Sequence, residues 1–209
     1  MRVHLPAAAL IAFALPLAMP ALAATPGEKQ IDEMTDVLVS MLPVGAIMEE
    51  AAGENPAWPV QDKPDAVTPV QLACLRSELS RDGFRRVKRA EVAEYAQAHP
   101  GRFAEELQLA RTAAPVFGSI VQAGIASAKT DTDLDPADLM RTASADQLLA
   151  LLTIARDPQY RDFRALSGFG DVLAGDGGKA DGKSVGEMAA IKMMFQGMKA
   201  CDVSPGALM

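Results

Sequence analysis

Histidine is nearly missing from this chain: only His4 and His99 occur among 209 residues. A single histidine in the mature region excludes a zinc site built from two or three histidines of one chain. It also obliges any Ser–His or Cys–His nucleophile to use His99, and no G-x-S-x-G elbow is present. Aromatic residues make up 5% and Trp58 is the only tryptophan. That scarcity argues against a sugar-stacking cleft and against a platform for unpaired bases. Basic residues are outnumbered, 20 to 27, for a net charge of −7. A chain of that sign lacks the footprint of a nucleic-acid binder. Acids are plentiful, so a carboxylate pair of the glycosidase type stays open, although no pair stands out.

The N-terminus has its own logic. Arg2 precedes an apolar stretch over 5–20, broken by Pro6, Pro16 and Pro20, and Ala21-Leu22-Ala23 forms an A-x-A cleavage pattern. This reads as a secretory signal peptide over 1–23, and the run is short for a bilayer span. Its removal takes away Arg2 and no acid, so −7 becomes −8. Residues 24–209 then form one domain with a sizeable core. Cys74 and Cys201, one near each end of that domain, predict a long-range disulfide in an exported protein. They are not a C-x-x-C pair, so thiol oxidoreductase chemistry has no support.

Hydrophobic spacing predicts an all-α, irregular bundle of six to eight helices. Ile31, Met34, Leu38 and Met41 mark a first apolar stripe, and Pro43 interrupts it. Met34, Met41 and Met48 invite a copper site, but methionine at stripe positions reads as core filling. A Pro-rich loop over 53–67 carries Trp58, set against the body. Thr68-Pro69 starts a helix that Gly83 ends or bends. The helix over 84–98 carries the one basic cluster, Arg85, Arg86, Lys88 and Arg89. It reads as a solvated face pairing with Glu91 and Glu94, with an anion- or partner-binding face as its functional counterpart. His99-Pro100 closes that helix. Pro115 is expected to kink or split the next, over 102–128, where Gly118 and Gly124 would permit close helix approach.

The densest apolar run is 144–170. Ser144 and Gln147 match a capping box. Leu148, Leu149, Leu151, Leu152 and Ile154 wrap most of the circumference, which places this helix at the centre of the bundle. Asp157-Pro158 breaks it and opens a shorter helix with Tyr160, Phe163 and Leu166. After a Gly-rich loop at 175–183, Ser184 and Glu187 form another capping box. Met188, Ile191, Phe195 and Met198 then make a stripe leading to Cys201. The tail beyond Cys201 is expected to fray.

Two loops resemble known ligand motifs. Gly177 to Ser184 matches G-x-x-x-x-G-K-[ST], with Gly177, Gly182, Lys183 and Ser184 in the phosphate-loop positions. Such a loop must follow a buried parallel strand, and only Val172-Leu173-Ala174 precedes it, so a surface loop is the better reading. Asp131, Asp133 and Asp135 open like a calcium loop. Pro136 and Thr142 stand where glycine and glutamate are required, so the pattern fails.

The 144–166 block also resembles a family of exported, mostly helical bacterial proteins of unknown function. That family shares a pattern E-L-x-x-L-x-x-F-Y-x-S-P-x-G-x-x-L/M. Gln147-Leu148 stands at its start and Leu151 keeps the next leucine. Ile154-Ala155 replaces the aromatic pair, Asp157-Pro158 the Ser-Pro, Tyr160 the glycine, and Phe163 keeps the last apolar position. The resemblance implies export and a helical fold, and no assigned activity or site residues.

Together these features point to an exported, periplasmic or secreted, helical binding or interaction protein without enzymatic activity. Its partner is an unidentified protein or small molecule, with no nucleic acid, no cofactor and no metal. A carboxylate hydrolase or a chaperone-like envelope factor is the alternative. N-terminal sequencing of the exported protein should begin at Ala24; a start at Met1 would remove the signal-peptide reading.

Overall fold

Met34, Leu38 and Met41 follow one another at four- and three-residue steps, and all three lose contact with water completely or nearly so. A single covering neighbour cannot do that to a helix. In the computed structural model, which describes residues 25–130, 141–170 and 182–207, two helices cover them. Among the described residues there are eight α-helices and no strand. In chain order they are α1 (Glu28–Met41), α2 (Val44–Glu54), α3 (Pro69–Glu78), α4 (Arg81–Ala98), α5 (Phe103–Thr130), α6 (Ala145–Arg156), α7 (Arg161–Ser167) and α8 (Gly182–Ala200). The irregular helical bundle and its disulfide are as the sequence predicts.

Local chemistry sets most helix boundaries. Thr68 and Ser144 are capping-box N-caps with Gln71 and Gln147 reaching back. The Asp157 side chain accepts from the Gln159 N–H and opens the 3-10 turn Pro158–Tyr160. α7 ends at Gly168, whose φ of 90° is left-handed. Gly83 does not end a helix, as the sequence suggested. It lies in the first turn of α4, after the Ser80 N-cap, where an added Cβ would come within 2.0 Å of the Glu78 carbonyl oxygen. That contact makes the α3–α4 corner a place only glycine fits.

α1 packs against α4 on one side and α5 on the other, and α2 and α6 extend the same core. Burying Met34, Leu38 and Met41 contributes about 1.5–3 kcal/mol each. Met48 joins them, so three methionines of the proposed copper spacing are core residues. Trp58 packs partly buried against this core. Pro115 does not split α5, which runs unbroken through it. Among the described residues Gly118 comes only within 4.0 Å of another backbone and Gly124 meets nothing within 4 Å, so neither serves a close approach between described helices.

The predicted central helix is not central. α6 buries only Ala150, Ile154 and Ala155, while Leu149 and Leu152 stay 65% and 51% exposed. It packs chiefly on α5, with Leu151 partly buried against the core. α8 departs from expectation in the same direction. It begins at Gly182, so Ser184 lies inside its first turn rather than capping it. Met193 and Met198 face inward, whereas Met188, Ile191 and Phe195 face out.

Cys74 of α3 is bonded to Cys201, just past α8, at a sequence separation of 127. Closing a loop of that length stabilises by about 4–5 kcal/mol in the chain-entropy account. Around the bridge lies a second small core of Leu75, Met198, Val203 and Ala207. The tail is therefore packed rather than frayed: Val203 and Ala207 are buried, Asp202 takes a left-handed turn (φ 52°), and Gln71 Nε2 donates to its carbonyl at 2.8 Å. The predicted signal peptide and residues 131–140 and 171–181 lie outside the described residues.

Replacement at the true and the expected centre should differ sharply. In urea unfolding of the oxidised protein, Leu38→Ala should cost about 2–5 kcal/mol. Leu149→Ala should stay within about 0.5 kcal/mol. Equal losses would restore α6 to the centre.

Candidate functional site

The buried face of α4 reads Phe84, Lys88, Val92, Tyr95, Ala96. A lysine stands where the spacing calls for an apolar side chain, so its charge must be met inside. Lys88 Nζ donates to Glu91 Oε2 at 2.6 Å and to the Leu166 carbonyl at 2.9 Å. Glu91 Oε1 accepts from Lys192 Nζ of α8 at 2.6 Å. One carboxylate thus joins α4, the end of α7 and α8. Burial pushes the Glu91 carboxyl up, but the two lysines outweigh it and hold it below its ordinary value.

The rest of the basic cluster is also paired, mostly with partners the sequence did not suggest. Arg85 binds Asp36 at 2.7 Å and lies 3.9 Å from Asp32; Arg89 binds Asp32 at 2.7 Å and also Glu28. Arg86 binds Glu78 at 2.8 Å. Glu28, Asp32 and Asp36 are one i, i+4 row of α1, so most of the basic cluster forms a seam between α1 and α4. Arg111 of α5 pairs with Glu33 on the other flank of α1. Half-exposed pairs contribute about 0–1 kcal/mol each, far less than the apolar burial beneath them. They orient α4 on α1 rather than hold it there. An anion binding to Arg85, Arg86, Lys88 and Arg89 would have to displace these carboxylates.

A second polar group sits where α4, α5 and α7 meet. Phe103, Glu106, Leu107 and Ala110 share the buried stripe of α5, so Glu106 is a carboxylate at a core position, with 0% of its side chain exposed. Its Oε1 accepts from Tyr95 Oη at 2.9 Å and lies 3.1 Å from Arg102 Nη2. Arg102 Nη1 reaches the Gln159 carbonyl at 2.6 Å. Next to it, Tyr160 Oη donates to Glu105 Oε1 at 2.5 Å, and burial with that carboxylate pushes the phenol up to about 12. Burial and the Glu106 charge raise the Tyr95 phenol as well. Arg164 Nη1 closes the end of α6 by donating to the Ile154 and Asp157 carbonyls, both at 2.9 Å.

His99 caps α4, with its ring 4.3 Å from that of Tyr95 and its Nε2 3.9 Å from Asp162 Oδ2. Both cysteines are in the disulfide, so His99 has no thiol to activate. A groove of about 380 Å³ runs beside it, lined by Glu91, Glu94, Tyr95, Asp162 and Lys192 among others. Among the described residues no group of His, Cys, Asp and Glu is arranged to hold a metal. Gly182, Lys183 and Ser184 fall in the first turn of α8, and no strand precedes them among the described residues. Gly177 and the Asp131–Asp135 loop lie outside those residues.

The outer face of α8 carries Met188, Ile191 and Phe195 at 66%, 50% and 58% exposure, at spacings of three and four. Lys192 and Lys199 share that face. No protein family, curated protein or solved structure matches this chain.

Sequence reasoning named Arg85 to Arg89 and missed Glu91's bridging role, Tyr95, Arg102, Glu106, Arg164 and Lys192. A signal was present for two residues: Lys88 and Glu106 occupy apolar-stripe positions, and a charge there must find a buried partner. No local signal marks Arg164 or Lys192, whose partners are 10 and 101 residues away.

Glu91→Gln would leave Lys88 without its carboxylate. At pH 7 it should lower unfolding stability by about 1–3 kcal/mol. Because the folded Glu91 carboxyl lies below its ordinary 4.5, its contribution is present above that pH and lost as pH falls through the folded value. The gap between wild type and variant should therefore shrink on acidification below about pH 4.5. A gap independent of pH, measured by denaturant titration, would exclude the charge network as its source.

Proposed function

We propose that the protein is an exported helical interaction protein without enzymatic activity, and that its partner is another protein docking on the outer face of α8. The Met188–Ile191–Phe195 stripe carries this reading. A helix apolar on both sides, with one side uncovered, has a hydrophobic incentive to be covered again. The partner surface complements it: apolar at its centre and acidic beside Lys199, Lys192 being already paired with Glu91. A second copy is disfavoured because a two-fold axis through this face would bring the lysines together. An anionic lipid surface is disfavoured by the net charge of −7. The Cys74–Cys201 bridge fixes the end of α8 and so reduces the ordering cost of binding.

Export is supported by the A-x-A pattern and by the bridge, since disulfides persist in oxidising compartments. No described helix is long and apolar enough to cross a membrane. Membership of the exported helical family resembled by residues 144–166 belongs to the same proposal. A carboxylate hydrolase gains nothing from Glu105 and Glu106, because no substrate reaches the fully buried Glu106.

A photo-crosslinking residue at position 191, in the protein's native compartment, tests the reading. It should give one discrete adduct that Phe195→Gln abolishes, and none from position 70, where Val70 is exposed on α3. Adducts of many sizes at 191 would favour a chaperone-like factor. None at 191, or the same adduct at 70, would overturn docking on α8.

A further inference from the structure

We propose that Glu106 is a buried proton-binding site that couples the packing of the α4–α5–α7 junction to pH, tightest with the carboxyl protonated and looser once it ionises. The geometry supports this before any titration is considered. The side chain has no solvent exposure. Only one of its oxygens is served: Oε1 takes both Tyr95 Oη and Arg102 Nη2, while Oε2 is buried without a hydrogen-bond partner. A carboxylate in that setting leaves half of its charge unsolvated. A neutral carboxyl keeps the Tyr95 contact and drops most of the desolvation cost.

Arg102 is the natural rescuer of the charge, but its charge is divided. Its Nη1 is committed to the Gln159 carbonyl, its Nη2 also lies 3.4 Å from Tyr95 Oη, and its Nε is buried without a partner. About a third of its side chain is exposed, so solvent screens what remains. Every packed element contributes to the field. From α4 come Tyr95 and His99, the latter beside Asp162. Glu105 is the adjacent residue of α5 and adds a second negative charge. Tyr160 from the 3-10 turn is already hydrogen-bonded to Glu105. Asp162 of α7 pulls on Arg102. Arg164, also of α7, spends its Nη1 on the end of α6. Burial outweighs the favourable pull of Tyr95, Arg102 and His99, and the proton is held more tightly than at an ordinary glutamate.

The sign is opposite to that of Glu91. With the folded carboxyl above its ordinary 4.5, the stabilisation is complete below that pH and is lost as pH rises through the folded value. What loosens is the junction itself, because Tyr95, Arg102 and the 158–164 segment all meet there. Tyr95 and Asp162 also line the groove beside it.

The test uses the full mature protein labelled with carboxyl-¹³C glutamate, with Glu106 assigned through its contact with the Tyr95 ring. Its titration midpoint should lie above 4.5 and above that of exposed glutamates; a midpoint at or below 4.5 overturns the proposal. In parallel, unfolding stability is followed upward from about pH 4 in wild type, Glu106→Gln and His99→Gln. Glu106→Gln should lose the alkaline decline and His99→Gln should keep it. A decline that persists in Glu106→Gln, or vanishes in His99→Gln, assigns the effect to another group. The wild-type titration stands alone if Glu106→Gln does not fold.

Discussion

Complete burial of the apolar stripe of α1 is the constraint on which the other helices depend. Met34, Leu38 and Met41 lie on one stripe, Thr35 beside it is equally buried, and Thr35 satisfies its hydroxyl by donating to the Ile31 carbonyl at 2.7 Å. Such a stripe needs cover from two directions. α4 supplies one and α5 the other, and α2, α6 and α7 fill the spaces between them. The bundle is irregular because its helices are arranged around a fourteen-residue helix rather than along a common axis.

Charge then decides orientation where burial has decided contact. The acids of α1 read as a solvent face, but they meet the arginines of α4 on one flank and Arg111 of α5 on the other. Each pair is weak on its own. As a row they fix which way α4 runs along α1, a choice that non-directional apolar burial leaves open. The charges that went inside follow a different rule. Lys88 and Glu106 are too costly to bury alone, so each gathers a network that ties several helices together. Lys88 is met almost fully. Glu106 keeps an unserved oxygen, and this difference gives the two carboxyl groups, Glu91 and Glu106, opposite responses to pH.

α8 has a different attachment. Among its contacts with the body are Lys192 on Glu91, a close approach at Gly197 to the end of α3, the inward Met193 and Met198, and the bridge just beyond its last turn. With the helix clamped at that end, apolar side chains can remain outside without peeling it from the core.

The sequence by itself determined the class of fold, the helix boundaries at Thr68, Ser144 and Asp157, the core role of Met34, Met41 and Met48, and the pairing of Cys74 with Cys201. Each of these depends on residues within a few positions, or on a count of two cysteines that allows one partner. Tertiary structure alone decided which helix lies at the centre. The leucines of α6 are denser than the apolar residues of α1, but density says only that a helix prefers cover, not how many neighbours reach it. Likewise the sequence marked the arginines of α4 as a cluster and could not say that α1 would take them. Those partners are 49 to 61 residues away, and a charge has no periodicity to reveal them. The junction at Glu106 lay between these extremes. An acid at a core position was visible in the stripe of α5, while its donors and its empty side came from three segments that only the folded chain brings together.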